Sequence, residues 1–241
     1  MTMADAKDQG RFERLMMDDG AEIAAYRVGP NGPRKGGVVL IQEIFGVTKH
    51  IREQCDRFAQ MGYEVVAPAI FDREAPGLDL GYRPEDVAKA MALVRSHAVE
   101  RTLADAIACV ALLQAAGPVF MTGYCYGGSV TWLAAGRDVQ LAAAACYYGS
   151  MIPARAGLEP RCPTLVHFGR RDAEIPMSSV ETFMAERPEV DVQLYPAGHG
   201  FNSDRRADYH HESAELAFKR TIALFDAHSA RGLHPSVGER S

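Results

Sequence analysis

Short apolar runs alternate along the chain with longer segments whose apolar residues recur at helical spacing. "AEIAAYRV" reads as an opening strand and "GGVVLIQ" as a buried one. "TKHIREQCDRFAQMG" is an amphipathic helix closed by Gly62. The strand "YEVVAPAI", the helices "PEDVAKAMALVRSH" and "RTLADAIACVALLQAAG", and the strand "PVFMTG" come next. A helix runs from about Gly127 to Ala135, and "LAAAACYYG", "PTLVHFG" and "VDVQLYP" supply three more strands. "SSVETFMAER" is a helix between the last two strands, and "AELAFKRTIALFDAH" closes the pattern. Apolar strands alternating with helices predict an α/β fold, its central sheet mostly parallel and covered by helices on both faces. Ligands in such folds gather at the carboxyl ends of the strands, here the loops near Gln42, Phe71, Gly123, Gly149, Gly169 and Pro196.

A chain of 241 residues with this single alternation is expected to be one domain, residues 1–241, with its core at about 20–228. The N-terminal residues and the tail "HSARGLHPSVGERS", which loses apolar periodicity, are expected to be peripheral. A net charge of −5 argues against a nucleic-acid partner. "MTMADAKDQG" has no secretory pattern, and no apolar run is long enough to cross a bilayer. The expectation is a cytoplasmic protein with no membrane partner. Cys55, Cys109, Cys125, Cys146 and Cys162 are odd in number, scattered, and contain no C-x-x-C pair, so free thiols are expected rather than a disulfide frame or a cysteine zinc site. His210 and His211 are adjacent and face different sides of a helix, a poor metal pair. Trp132 is expected in the core.

Candidate chemistry sits at three strand ends. Gly123-Tyr124-Cys125-Tyr126-Gly127 is G-x-S-x-G with sulfur for oxygen, between a predicted strand and a predicted helix. The helix N-terminus there favours a thiolate, whereas the bland alternative is a buried cysteine in a tight turn. Asp172 follows "PTLVHFG", where it could equally be a turn aspartate, and His199 lies between glycines after "VDVQLYP". Together they keep the chain order nucleophile, acid, histidine of an α/β-hydrolase. In that arrangement His199 takes the thiol proton and Asp172 orients the imidazole. The early loop "IQEIFG" follows a strand and offers one oxyanion amide at Ile44, with the second from Tyr126. Glu43, beside Ile44, could lean over the site and restrain the thiolate.

"QEIFGV", "GYEVVAPAIFDREAPG", "GYCYGGSVTWLAA", "RRDAEIP" and "AGHGF" together resemble the dienelactone hydrolase (carboxymethylenebutenolidase) family over about Ile23 to Phe225. The resemblance implies a compact α/β-hydrolase fold without a large cap domain, a monomer, and no metal or organic cofactor. It assigns the triad to Cys125, Asp172 and His199, and the glutamate and second oxyanion amide to Glu43 and Ile44. It implies hydrolysis of a small ester or lactone through an acyl-enzyme, in the type case an unsaturated lactone bearing a carboxylate. The resemblance further implies a thiol held neutral until substrate redirects the glutamate, and an enolate leaving group that then activates water.

Two arginines grip the carboxylate in the type enzyme. Here the first region, "GLDLGYRPEDVAKAM", offers Arg83 with Tyr82 beside it. In the second, "HGFNSDRRADYHH", the expected position is Ser203, with Arg205 and Arg206 farther along. Guanidinium groups suit bidentate carboxylate capture. Phe45 and Tyr148 are expected to line the pocket. The alternatives are the same triad acting on another lactone, thioester or xenobiotic ester, and a non-catalytic small-molecule binder.

Overall fold

The computed structural model describes residues 9–229. Eight strands form one sheet: β1 (Arg11–Met16), β2 (Glu22–Val28), β3 (Gly36–Ile41), β4 (Tyr63–Pro68), β5 (Val119–Tyr124), β6 (Ala143–Tyr147), β7 (Thr164–Gly169) and β8 (Asp191–Tyr195). Their spatial order is β1-β2-β4-β3-β5-β6-β7-β8. β1 and β2 pair antiparallel, as do β2 and β4, and every pairing from β4 to β8 is parallel.

Six helices accompany the sheet: α1 (Lys49–Gln60), α2 (Pro84–Ser96), α3 (Val99–Gln114), α4 (Tyr126–Ala135), α5 (Met177–Glu186) and α6 (His211–Ser229). Burial on both faces explains the unbroken apolar strands. In β3, Val38 and Leu40 join one core cluster with Cys55 and Phe58 of α1 and Phe218 and Phe225 of α6. Val39 and Ile41 join the other, with Leu103, Ala106 and Val110 of α3. Trp132 is buried in the first cluster, as expected, and its indole N–H donates to the Arg155 carbonyl at 3.2 Å.

The N-terminal residues also hold an edge strand that the apolar pattern did not predict. Arg11–Met16 form the edge strand β1, with full register on β2 from Arg11↔Arg27 to Met16↔Glu22. Phe12, Leu15 and Met16 do not alternate as a strand would, and Phe12 and Met16 face solvent (52% and 67% exposed), so backbone pairing more than side-chain burial makes the strand. The expectation for the C-terminal tail lies outside the described residues beyond Ser229.

Candidate active site

Cys125 occupies the turn between β5 and α4 with φ 54° and ψ −114°, a left-handed backbone that costs a non-glycine residue free energy. Surrounding structure holds it there. Its N–H donates to the Tyr147 carbonyl at 3.0 Å, and its carbonyl accepts from Ser129 N–H at 3.2 Å as α4 begins. A Cβ at Gly123 would lie 2.3 Å from the Gly127 carbonyl oxygen, and one at Gly127 would lie 2.2 Å from that of Ile41. The two glycines therefore let helix and strand approach closely enough to hold the turn. Tyr126 is the first residue of α4, so its N–H has no intrahelical acceptor. Its hydroxyl is 3.2 Å from that of Thr102, which keeps the ring in the core.

The three predicted side chains meet. His199 Nε2 is 3.2 Å from Cys125 Sγ, and His199 Nδ1 is 2.8 Å from Asp172 Oδ2. Asp172 Oδ1 accepts the backbone N–H groups of Glu174 at 2.8 Å and Ile175 at 3.1 Å. The aspartate is thus both a turn residue and the histidine's partner. Burial opposes charge on His199, but the hydrogen bonds with Asp172 and Cys125 outweigh it and push its pKa up to about 10. Cys125 is 8% and His199 5% exposed, enough for the edge of the site to meet solvent.

Glu43 is not a solvated loop carboxylate, because its side chain is fully buried. The Tyr82 hydroxyl donates to its Oε2 at 3.0 Å, and Arg206 Nη1 lies 3.6 Å from its Oε1. Burial raises the Glu43 pKa, opposed by Arg206, Tyr82 and the charge of His199. Ser203 Oγ donates in turn to the Tyr82 hydroxyl at 3.2 Å. Phe45 packs edge-on against Tyr82 with ring centroids 4.7 Å apart. The loop carrying Glu43 and Ile44 is pinned from outside by Leu80 N–H donating to the Phe45 carbonyl and by a bridge between Gly46 and Asp79.

The candidate arginines separate. Arg206 alone is directed at Glu43. Arg205 pairs with Glu53 of α1 at 2.7 Å and with Asp204 at 2.6 Å. Arg83 occupies the N-cap position of α2, pairs with Glu85 at 3.2 Å and Asp86 at 3.3 Å, and leaves 74% of its side chain exposed. Tyr148 lies beneath His199, their rings 5.2 Å apart. Glu174 was not anticipated; its Oε2 is 3.4 Å from His199 Nε2, and only the position two residues after Asp172 hinted at it. His210 precedes α6 and His211 is its first residue, so the pair does not share a helix. His210 Nδ1 accepts from Ser213 N–H, while His211 Nδ1 bonds the Tyr209 hydroxyl.

A model of the dienelactone hydrolase family matches residues 23–229. The chain belongs to that family. A relative from Salmonella typhimurium, whose carboxymethylenebutenolidase name is itself provisional, is 35% identical over 205 residues, 78% of this chain and 76% of its own. Carboxymethylenebutenolidase 1 of Cupriavidus pinatubonensis is 29% identical over 230 residues, 87% of this chain and 97% of its own. The crystal structure of a Klebsiella pneumoniae protein, provisionally named a dienelactone hydrolase, superposes with TM-score 0.79 at 31% identity. It covers 90% of this chain and 97% of that one. This dienelactone hydrolase family member therefore has the α/β-hydrolase fold, with no large cap domain evident, and is a hydrolase acting on esters or lactones. Among the described residues no helix is long and apolar enough to cross a membrane.

Proposed function

We propose that the protein cleaves a small lactone or ester of the dienelactone type through Cys125, His199 and Asp172, by way of a thioester acyl-enzyme. The observation that carries this reading is the unbroken chain Asp172–His199–Cys125, at 2.8 and 3.2 Å, ending on a thiol held at a strained strand-to-helix turn. The Cys125 sulfur attacks the carbonyl carbon while His199, held protonated by its bonds to Asp172 and Cys125, keeps the proton, and Asp172 stabilises the imidazolium. The amides of Tyr126 and Ile44 receive the oxyanion. The C–O bond to the leaving group then breaks. A leaving alcohol takes the proton from His199, and the neutral imidazole accepts a proton from the water that attacks the thioester. An enolate instead departs as the anion and takes that proton from the water itself.

Glu43 and Arg206 form the substrate-responsive part. Arg206 is the guanidinium placed to take a substrate carboxylate, and doing so weakens its hold on Glu43. We place the protein in the cytoplasm as a monomer acting on a small molecule, in keeping with its five free thiols.

One observation favours a second substrate class. With Arg83 turned to Glu85 and Asp86, a single arginine faces the site and Glu43 already engages it. A less acidic lactone or activated ester suits that balance. Ultraviolet decay of cis- and trans-dienelactone, with Cys125→Ala as control, separates the readings. Rapid Cys125-dependent decay supports the dienelactone substrate. Cys125-dependent cleavage of a simple activated ester alone retains the mechanism and rejects that substrate, and full activity in Cys125→Ala refutes the triad.

A further inference from the structure

Tyr148 is the first residue after β6, between the strand ends that carry Cys125 and Asp172. Its backbone has φ 37°, a left-handed conformation rare for a bulky residue. A strained backbone persists only where neighbours impose it, and here Tyr148 N–H donates to the His167 carbonyl at 2.8 Å. The ring is fully buried, edge-on to His199 at 5.2 Å and to Phe201 at 5.2 Å.

The hydroxyl is the anomaly. It is buried and has no hydrogen-bond partner among the described residues, although buried tyrosine hydroxyls are normally paired. The other tyrosines of this cluster follow the rule: Tyr147 bonds Thr221 at 2.7 Å, and Tyr124 bonds Gln54 at 3.4 Å. Burial, reinforced by Glu43, Tyr124 and Cys125 and opposed by Arg206, holds the Tyr148 hydroxyl in its protonated, donating form. The group is thus a neutral donor on a ring that packs against His199.

We infer that Tyr148 is a further catalytic residue, whose hydroxyl donates a hydrogen bond to the oxygen that leaves when the substrate's C–O bond breaks. This rests on the acyl-enzyme reading above and deepens it. The oxyanion amides of Ile44 and Tyr126 serve the carbonyl oxygen, whereas the leaving oxygen must depart toward His199, the ring against which Tyr148 packs. As the S–C bond forms and the C–O bond breaks, the electron pair moves onto the leaving oxygen. Tyr148 stabilises that charge while keeping its own proton, and His199 supplies the proton that leaves with an alcohol. For an enolate, which departs as the anion, the Tyr148 hydrogen bond is the chief neutral stabiliser.

The test is Tyr148→Phe, which keeps the ring against His199 and deletes only the hydroxyl. Rates are measured on acyl esters that share one acyl group and differ in leaving-group acidity, with thermal melting in parallel and Cys125→Ala as a second control. The expected result is a loss in kcat/KM of about 10²-fold for poor leaving groups, comparable to deleting one donor to developing charge. The loss should shrink to about threefold or less for a nitrophenolate, which needs little help. Melting should stay the same or rise by about 2–4 °C, because an unpaired buried hydroxyl is removed. A uniform loss across leaving groups, no loss at all, or a lowered melting temperature overturns the assignment. Activity that persists in Cys125→Ala overturns the triad reading instead, so the two failures are distinguishable.

Discussion

Arg206→Leu tests whether the buried Glu43 carboxylate depends on its guanidinium. At 3.6 Å, two unit charges at an effective dielectric near 20 attract by about 4–5 kcal/mol. Glu43 has another way out, because it can take up a proton. Protonating a carboxyl of ordinary pKa at pH 7 costs about 3.7 kcal/mol. Burial already holds Glu43 above that ordinary value, so the cost here is smaller. Protonation therefore sets the penalty, and the expected destabilisation is about 2–3 kcal/mol at pH 7, a fall in melting temperature of about 5–10 °C.

The sign follows from the same carboxyl. A pKa raised in the folded state means that the native protein keeps a proton the unfolded chain has released. The deficit of the variant relative to wild type therefore grows as pH rises above the ordinary carboxylate range and fades below it. Near pH 5 it should be about 1 kcal/mol or less. Urea or thermal melts of wild type, Arg206→Leu, Glu43→Gln and the double variant at pH 5 and pH 8 measure this. The double variant should be more stable than Arg206→Leu at pH 8. Equal destabilisation at both pH values, or no rescue by Glu43→Gln, would refute the reasoning.

Other outcomes follow from the geometry. Because His199 is pushed up to about 10, its contribution to stability is fully present below its ordinary pKa of 6.5 and is lost as pH rises through the folded value. Melts between about pH 6 and pH 10 should show that loss in wild type and a shallower one in Cys125→Ala, which lacks one of the two bonds responsible. A Gly46→Ala side chain would place Cβ 1.8 Å from the Leu78 carbonyl oxygen at φ +102°. It should lower stability by about 3 kcal/mol or more and release the Glu43–Ile44 loop, read by melting and by lost esterase activity. Arg83→Ala should leave kcat/KM within about twofold on acidic and neutral esters alike, since the side chain is a solvated helix-cap charge.

Periodicity and motif order made most of this protein legible from its residues. The alternation of apolar strands and helices carries the sheet from β2 to β8, with burial on both faces making continuous apolar runs at β3, β5, β6 and β7. The order Cys125, Asp172, His199, each after a strand, was enough to nominate the triad, since a parallel sheet brings its strand ends to one side whatever lies between. β1 escaped notice because an edge strand held by backbone pairing needs no apolar face. The arginines were ambiguous for a related reason: a guanidinium several bonds from its backbone goes wherever a carboxylate is nearest in space. Only the tertiary structure turned Arg83 to Glu85 and Asp86, Arg205 to Glu53, and Arg206 to Glu43. Likewise only packing buried Glu43 completely and left the Tyr148 hydroxyl without a partner among the described residues, on a ring against His199. Main-chain architecture is encoded by local pattern, whereas the electrostatics of the site depend on contacts between segments far apart in the chain.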